Sequence, residues 1–422
     1  MNSEIKTYKY DDGEIQRVQI VTLDSFDELN FFYPKYSCEA LSHLAQLYKE
    51  FFVSKYPLLF GKMFIYHIPD DYVLPFKVEG IKDKYIASRI YLKENFNSKE
   101  AKEFLDDLKK RDCLHIIQGK NIFKRAFVPY KNIGFMSDDR KKSELKVNSS
   151  FFTFLESDVL SKYDIYGTPI GMYVKNGEVL NPPLFNREAL LVDDDNNVEI
   201  RKISLNDLDL GISGKIYQRD EYKRTPKSNN YDLVIINDEI KAINYGGKTE
   251  VPSSGFVLST KENNHIVGEK IIYRGLENIS FGVQCGNSII VENEKTLDFI
   301  SKFTSIKKLN ENNIPPSMYP LNFNEDRAPR IAIGESANHK PLIIWFEGKS
   351  KYNHEVGKES CGASLKEMAD ILKKLKVRNA INLDGGGSAQ ILLDNKRSLL
   401  ISDRDKTSGK ELERPIPIGI YK

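Results

Sequence analysis

Asn379-Ala380-Ile381-Asn382-Leu383-Asp384-Gly385-Gly386-Gly387-Ser388 is the stretch that decides the reading of this chain. Its first five residues read as a short buried strand, which runs into one acidic side chain and three glycines. Glycines open backbone conformations closed to other residues and let a ligand approach the main chain. Successive N–H groups in such a turn can converge on an anion. Asp384, at the strand's C-terminal end, would stand at the mouth of a sheet, and Ser388 can donate to a phosphate oxygen or cap the turn. The plainer alternative is a tight turn in which Asp384 bonds its own backbone. The triplet is neither a Walker loop nor GxGxxG.

Just upstream, Ser364-Leu365-Lys366-Glu367 is a capping box. Leu365, Met368, Ile371, Leu372 and Leu375 then form one apolar stripe, with Lys373, Lys374 and Lys376 at the end where a helix favours cations. Further upstream, from about residue 126, short β-type runs alternate with turns: GMYVKNGEVL, EALLVDDDNNVEI, YDLVIIN, GFVLST, HIVGEKIIYR, NSIIVENEK, RIAIG and PLIIWFEGK. Asn176-Gly177 is a hairpin signal and residues 193–197 a second turn. Residues 220–230 look like an exposed loop. The first 125 residues have another texture. Amphipathic helices are expected over 37–53 and 98–112, with strands in KMFIYHI and KYIASRIYL between them. The expected fold is thus mixed α/β (α+β): a β-rich domain over 126–422 behind an N-terminal α/β accessory domain over 1–125.

Composition narrows the function. The chain has 422 residues, with 62 Lys and Arg against 60 Asp and Glu, a net charge of +2. Such a balance gives no electrostatic reason to coat a nucleic acid polymer or an anionic membrane. Hydrophobic residues at 40% and charged residues at 29% exclude wholesale disorder. No apolar run is long enough to span a bilayer. The opening residues lack the apolar segment of a secretory signal, so a cytoplasmic location is expected, with secretion or association with a virion left open. Cys38, Cys113, Cys285 and Cys361 are scattered and read as reduced, mostly buried thiols, and no zinc-ligand spacing occurs.

The capped helix, short strand and glycine turn together resemble the phosphodiester glycosidase family, whose hallmark is a Gly-x-Ser/Thr-Leu helix followed by NLDGGGS. Here those positions are Gly362-Ala363-Ser364-Leu365 and Asn382 to Ser388. Four further stretches match in the same order. They are Val147-Asn148-Ser149-Ser150-Phe151-Phe152, Gly167-Thr168-Pro169-Ile170-Gly171 with the Asn176-Gly177 hairpin, Pro329-Arg330-Ile331-Ala332-Ile333-Gly334, and Glu413-Arg414-Pro415-Ile416. The family's G-G-P-x-L segment is Gln284-Cys285-Gly286-Asn287-Ser288 here, without the proline.

The resemblance implies hydrolysis of the bond between a sugar and a phosphate in a glycosyl phosphodiester, with a nucleotide-linked sugar or riboside among the substrates. The departing phosphate monoester is a stable anion, so cations and N–H donors matter more than a strong general acid. Asp384 is then the expected essential carboxylate. Arg330 and Arg414 would hold the phosphate with guanidinium forks, aided by Gly385, Gly386, Gly387 and Ser388. Glu413 and Asp403 are candidates for a second carboxylate. Asn148 would bond the substrate, Phe151 or Phe152 would line a sugar site, Gly362 belongs to the hallmark, and His354 is a more distant candidate. No cofactor is required, although Asp384 and Asp403 are hard oxygen donors of the kind Ca or Mg takes. The other reading is a non-catalytic glycan- or phosphate-binding module of a phage or cell-surface assembly. The sugar, the aglycone and the oligomeric state are not legible.

Overall fold

A computed structural model describes residues 1–32, 136, 143–153, 160–161, 163–164, 167–286, 288–296, 326–349, 354–404, 411, 413–414 and 416–422, with the backbone of four short strands between 63 and 116. The motif strand runs through the interior of a seven-stranded sheet. Its members are β1 (Asn2–Lys9), β2 (Ile15–Thr22), β3 (Ser288–Val291), β4 (Glu294–Lys295), β5 (Arg330–Ser336), β6 (Pro341–Phe346) and β7 (Val377–Asn382). They lie in the order β1-β2-β6-β5-β7-β3-β4, every neighbour antiparallel.

Both faces of this sheet are covered, which is why PLIIWF is apolar without alternation. Leu342, Ile344 and Phe346 of β6 pack in one cluster with Met368, Ile371 and Leu372 of helix α1 (Leu365–Lys374). Ile343 and Trp345 point the other way, into a larger core shared with Ile331, Ile381, Leu383 and the remaining sheets. The helix begins as its sequence expects: Glu367 N–H donates to Ser364 Oγ at 3.2 Å, and Ser364 N–H donates to Glu367 Oε2 at 2.9 Å.

Among the described residues, three larger sheets and a two-stranded ladder of 151–152 with 169–170 surround the larger core. Residues 178–181, 173–175, 279–284, 187–193 and 198–203 form a five-stranded one, in that order. Asn176 and Gly177 turn its hairpin with φ of 49° and 76°, as Asn-Gly predicts. Residues 215–217, 255–260, 227–236 and 239–247 form a four-stranded sheet, and residues 391–393, 145–148, 419–421 and 30–32 another. The chain therefore leaves the motif strand at Asn382 and joins a different sheet at Ile391, which pairs with Val147. The glycine turn is the crossover.

Several expectations change. The sequence reading put residues 1–125 in one unit. Val18 to Thr22 pair with Phe346 to Leu342, and Asn30 to Phe32 with Tyr421 to Gly419, so these early residues complete the sheets of the later ones. Alternation is short there, so a local reading sees only a polar lead-in. The loop expected over 220–230 ends at Lys227, where a ten-residue strand starts behind a register shift that hides its period. HIVGEKIIYR forms only isolated bridges, at Lys270 and Arg274. Strands 63–67 and 85–92 exist and pair antiparallel. The helices expected over 37–53 and 98–112 lie outside the described residues, as do Cys38 and Cys113.

Candidate functional site

Because β5 runs opposite to β6 and β7, its first residue, Arg330, shares an edge of the sheet with the ends of the other two. Asp384 follows at that edge. It is 3% exposed and fastened by its main chain: its N–H donates to Ser149 O at 2.9 Å, and its carbonyl accepts from Asn148 Nδ2 at 2.7 Å. Asn148 Oδ1 in turn accepts from Gln390 N–H at 3.0 Å. Both ends of the Asn148 amide thus hold backbone, and the side chain positions Asp384 rather than standing open to a substrate.

The turn itself is tight. Gly386 N–H donates to Pro329 O at 3.0 Å and Ser388 N–H to Gly385 O at 3.2 Å, while the Gly385 and Gly387 amides donate to no acceptor among the described residues. Gly386 sits at φ 59° with open space where a Cβ would be. Gly387 is the opposite case, since a Cβ there would collide with Asp403 Oδ2 and Arg414 Nη2. Those two side chains form an ion pair, with Arg414 Nε at 3.0 Å and Nη2 at 2.9 Å from Asp403 Oδ2.

Arg330 is buried at 2% exposure, beside the turn: its Cδ lies 3.8 Å from the Cβ position of Gly385. Its Nε donates to Ala363 O at 3.1 Å and its Nη2 to Asp326 O at 3.2 Å. Gly362 explains how Ala363 gets there, because a Cβ at 362 would come within 2.8 Å of the Ala328 backbone. Glu413 is buried against Arg397, whose Nη1 lies 3.3 Å from both Glu413 Oε2 and Gln390 Oε1. The structure therefore gathers Asp384, Arg330, Asn148, Asp403, Glu413, Arg414 and the glycines, with Gly362 acting through Ala363. Arg330 holds the backbone acceptors Ala363 O and Asp326 O, and Arg414 holds the Asp403 carboxylate. His354 is elsewhere, 2.9 Å from Glu14. Phe151 and Phe152 are both buried.

Buried polar atoms remain at the turn. Asn382 Oδ1, Ser388 Oγ and Gln390 Nε2 have no hydrogen-bond partner among the described residues, a costly condition unless water or ligand meets it. Among the described residues no group of three His, Cys, Asp or Glu side chains could hold a metal ion. Cys285 and Cys361 are free thiols. Burial pushes the Cys285 thiol well up, and the negative charge of Asp384 adds to the effect.

Sequence reasoning missed two groups. Glu347, 2% exposed, follows β6 and accepts from Arg17 Nε and Ser360 Oγ, each at 2.6 Å, and from Leu400 N–H at 2.8 Å. A lone carboxylate closing an apolar run was its only signal. Arg187 opens strand 187–193. Its guanidinium carbon lies 5.2 Å from the ring centre of Phe185 and 5.9 Å from that of Phe151. Burial pushes this guanidinium down to about 10, and the neighbouring Asp220 and Glu188 carboxylates offset only part of that effect.

A sequence profile for the phosphodiester glycosidases matches residues 206–421, just over half of the chain. No curated protein sequence matches it. Among solved structures, a Synechocystis protein is similar at 16% identity and a TM-score of 0.42, over 99% of this chain; the chain spans only 61% of that protein's length. The catalytic domain of zebrafish N-acetylglucosamine-1-phosphodiester alpha-N-acetylglucosaminidase, auto-inhibited by its pro-peptide, is similar at 11% identity and a TM-score of 0.41, over 100% of this chain and 81% of that one. A Burkholderia pseudomallei protein is similar at 13% identity and a TM-score of 0.39, over 100% and 96%.

Proposed function

The chain belongs to the phosphodiester glycosidase family, and from that premise we propose that it hydrolyses the bond between a sugar and a phosphate in a glycosyl phosphodiester, with nucleotide-linked sugars among its substrates. The observation that supports this reading most is the meeting, at one crossover turn, of Asp384, two glycine amides that donate to no acceptor among the described residues, and the adjoining Asp403–Arg414 pair.

In the proposed reaction, water attacks the anomeric carbon. The bond from that carbon to the bridging oxygen breaks, and its electron pair leaves with the phosphate monoester. Asp384 takes the proton of the attacking water and later returns it to solvent. Charge grows on the departing phosphate, where the Gly385 and Gly387 amides and the Ser388 hydroxyl are suited to meet it. Strong acid assistance is unnecessary because the leaving group is already stabilised as an anion. Asn148 holds the Asp384 main chain, and Arg330 anchors the adjoining Ala363 segment, so both act on geometry.

The test is release of free sugar from a panel of methyl phosphodiesters of common hexoses and N-acetylhexosamines, and from nucleotide sugars. Wild-type protein is expected to turn over at least one of them, and Asp384→Asn to lower kcat by about 100-fold or more at unchanged thermal stability. Binding without turnover across the panel would instead establish the glycan- or phosphate-binding module.

A further inference from the structure

We infer that Arg187 is the residue that reads the phosphate and makes this site prefer an anionic leaving group; this deepens the proposed function and rests on it. Arg187 is brought to the site by pairing. Ala189 pairs with Gln284, and Gln284 Nε2 donates to the Arg187 carbonyl at 3.1 Å. Two residues beyond Gln284, Gly286 N–H donates to Asn382 O at 2.9 Å. A Cβ on Gly286 would come within 2.9 Å of Asn382 Nδ2. One strand thus separates Arg187 from the residue two positions before Asp384.

A second route leads to the same place. The guanidinium lies over Phe151, two residues beyond Ser149, whose carbonyl holds the Asp384 N–H at 2.9 Å. Cation and carboxylate therefore flank one short segment, and Cys285 between them responds to both charges.

The arrangement beneath Arg187 is built, not incidental. Phe185 is held at φ 64°, a left-handed conformation that is strained for a bulky residue. Its N–H is fixed by Gln218 Oε1 at 2.8 Å, and the ring is thereby pinned under the guanidinium. A guanidinium lying over a ring presents its N–H groups in its own plane, in the fork that matches two phosphate oxygens. In a poorly hydrated site such a cation acts on an anion much more strongly than in water. Lys would keep the charge and lose the fork.

The experiment compares wild type, Arg187→Met and Arg187→Lys on two substrates of one sugar: a methyl phosphodiester and a 4-nitrophenyl glycoside, whose leaving group carries no phosphate. The expected result is a fall of about 100-fold in the ratio of kcat/KM for phosphodiester over aryl glycoside in Arg187→Met, partly restored in Arg187→Lys. An unchanged ratio, whether both activities fall together or neither falls, overturns the inference. If wild type cleaves neither substrate, the functional reading fails by itself. The inference is then judged by calorimetric binding of the methyl phosphodiester: loss of about 10-fold in Arg187→Met supports it, and equal affinity overturns it. Arg187→Gln replaces Arg187→Met should the latter not fold.

Discussion

Gly387 leaves no room for a methyl group, yet what it would strike is the movable end of an ion pair and not a wall of backbone. Gly387→Ala should therefore displace Asp403 and Arg414 and lower activity by about 10-fold or more, while shifting thermal stability little. Gly386→Ala meets open space and carries only the penalty of its positive φ, about 1 kcal/mol. Assaying both variants side by side checks the contrast; equal losses of activity would refute it. Asp384 and the glycines were legible because their signal lies in ten consecutive residues. Arg187 was not, since its neighbours come from positions 151, 185 and 284 and no spacing announces them.

The start of helix α1 carries a charge arrangement with a definite pH signature. Arg327 grips Glu367 Oε1 through Nε at 2.8 Å and Nη2 at 2.6 Å, reaches Asp12 with Nη1, and lies over the Tyr10 ring. Burial alone would raise the Glu367 carboxyl, but the hydrogen bonds from Arg327 and Ser364 outweigh it and hold the group below the ordinary range. A carboxylate depressed in the folded state contributes stability above its unfolded value, about 4.3, and loses it as pH falls through the folded value. Urea midpoints of wild type should thus exceed those of Glu367→Gln at pH 6, with the gap closing below about pH 4. Ser364→Ala should cost about 1 kcal/mol in the same assay. The capping box was readable as four letters. The Arg327 clamp joins residues 12, 327 and 367, and only the fold brings them together.

Across the whole molecule, the sheet that holds the motif is completed by the chain's opening strands. β2 covers the free side of β6, and its Val18 and Ile20 belong to the cluster beneath the helix. Deleting residues 1–22 should expose the β6 edge and give insoluble or unfolded protein, checked by solubility and far-ultraviolet circular dichroism. A soluble, active truncation would show those strands to be dispensable. The alternating runs after residue 126 announced a β-rich architecture. They could not announce which distant strand closes which sheet, because antiparallel partners of similar apolar pattern are interchangeable until packing selects them.

Glu347 gives this long-range closure its reach. One carboxylate clasps Arg17 of β2, Ser360 ahead of the helix, and the amide of Leu400, three residues before Asp403. Turnover should therefore be as sensitive to replacements at Arg17 as to those at many residues beside the catalytic turn. A saturation library scored for catalysis would show a band of intolerance hundreds of positions upstream of the aspartate, and evolution would have to revise both ends of the polypeptide in concert.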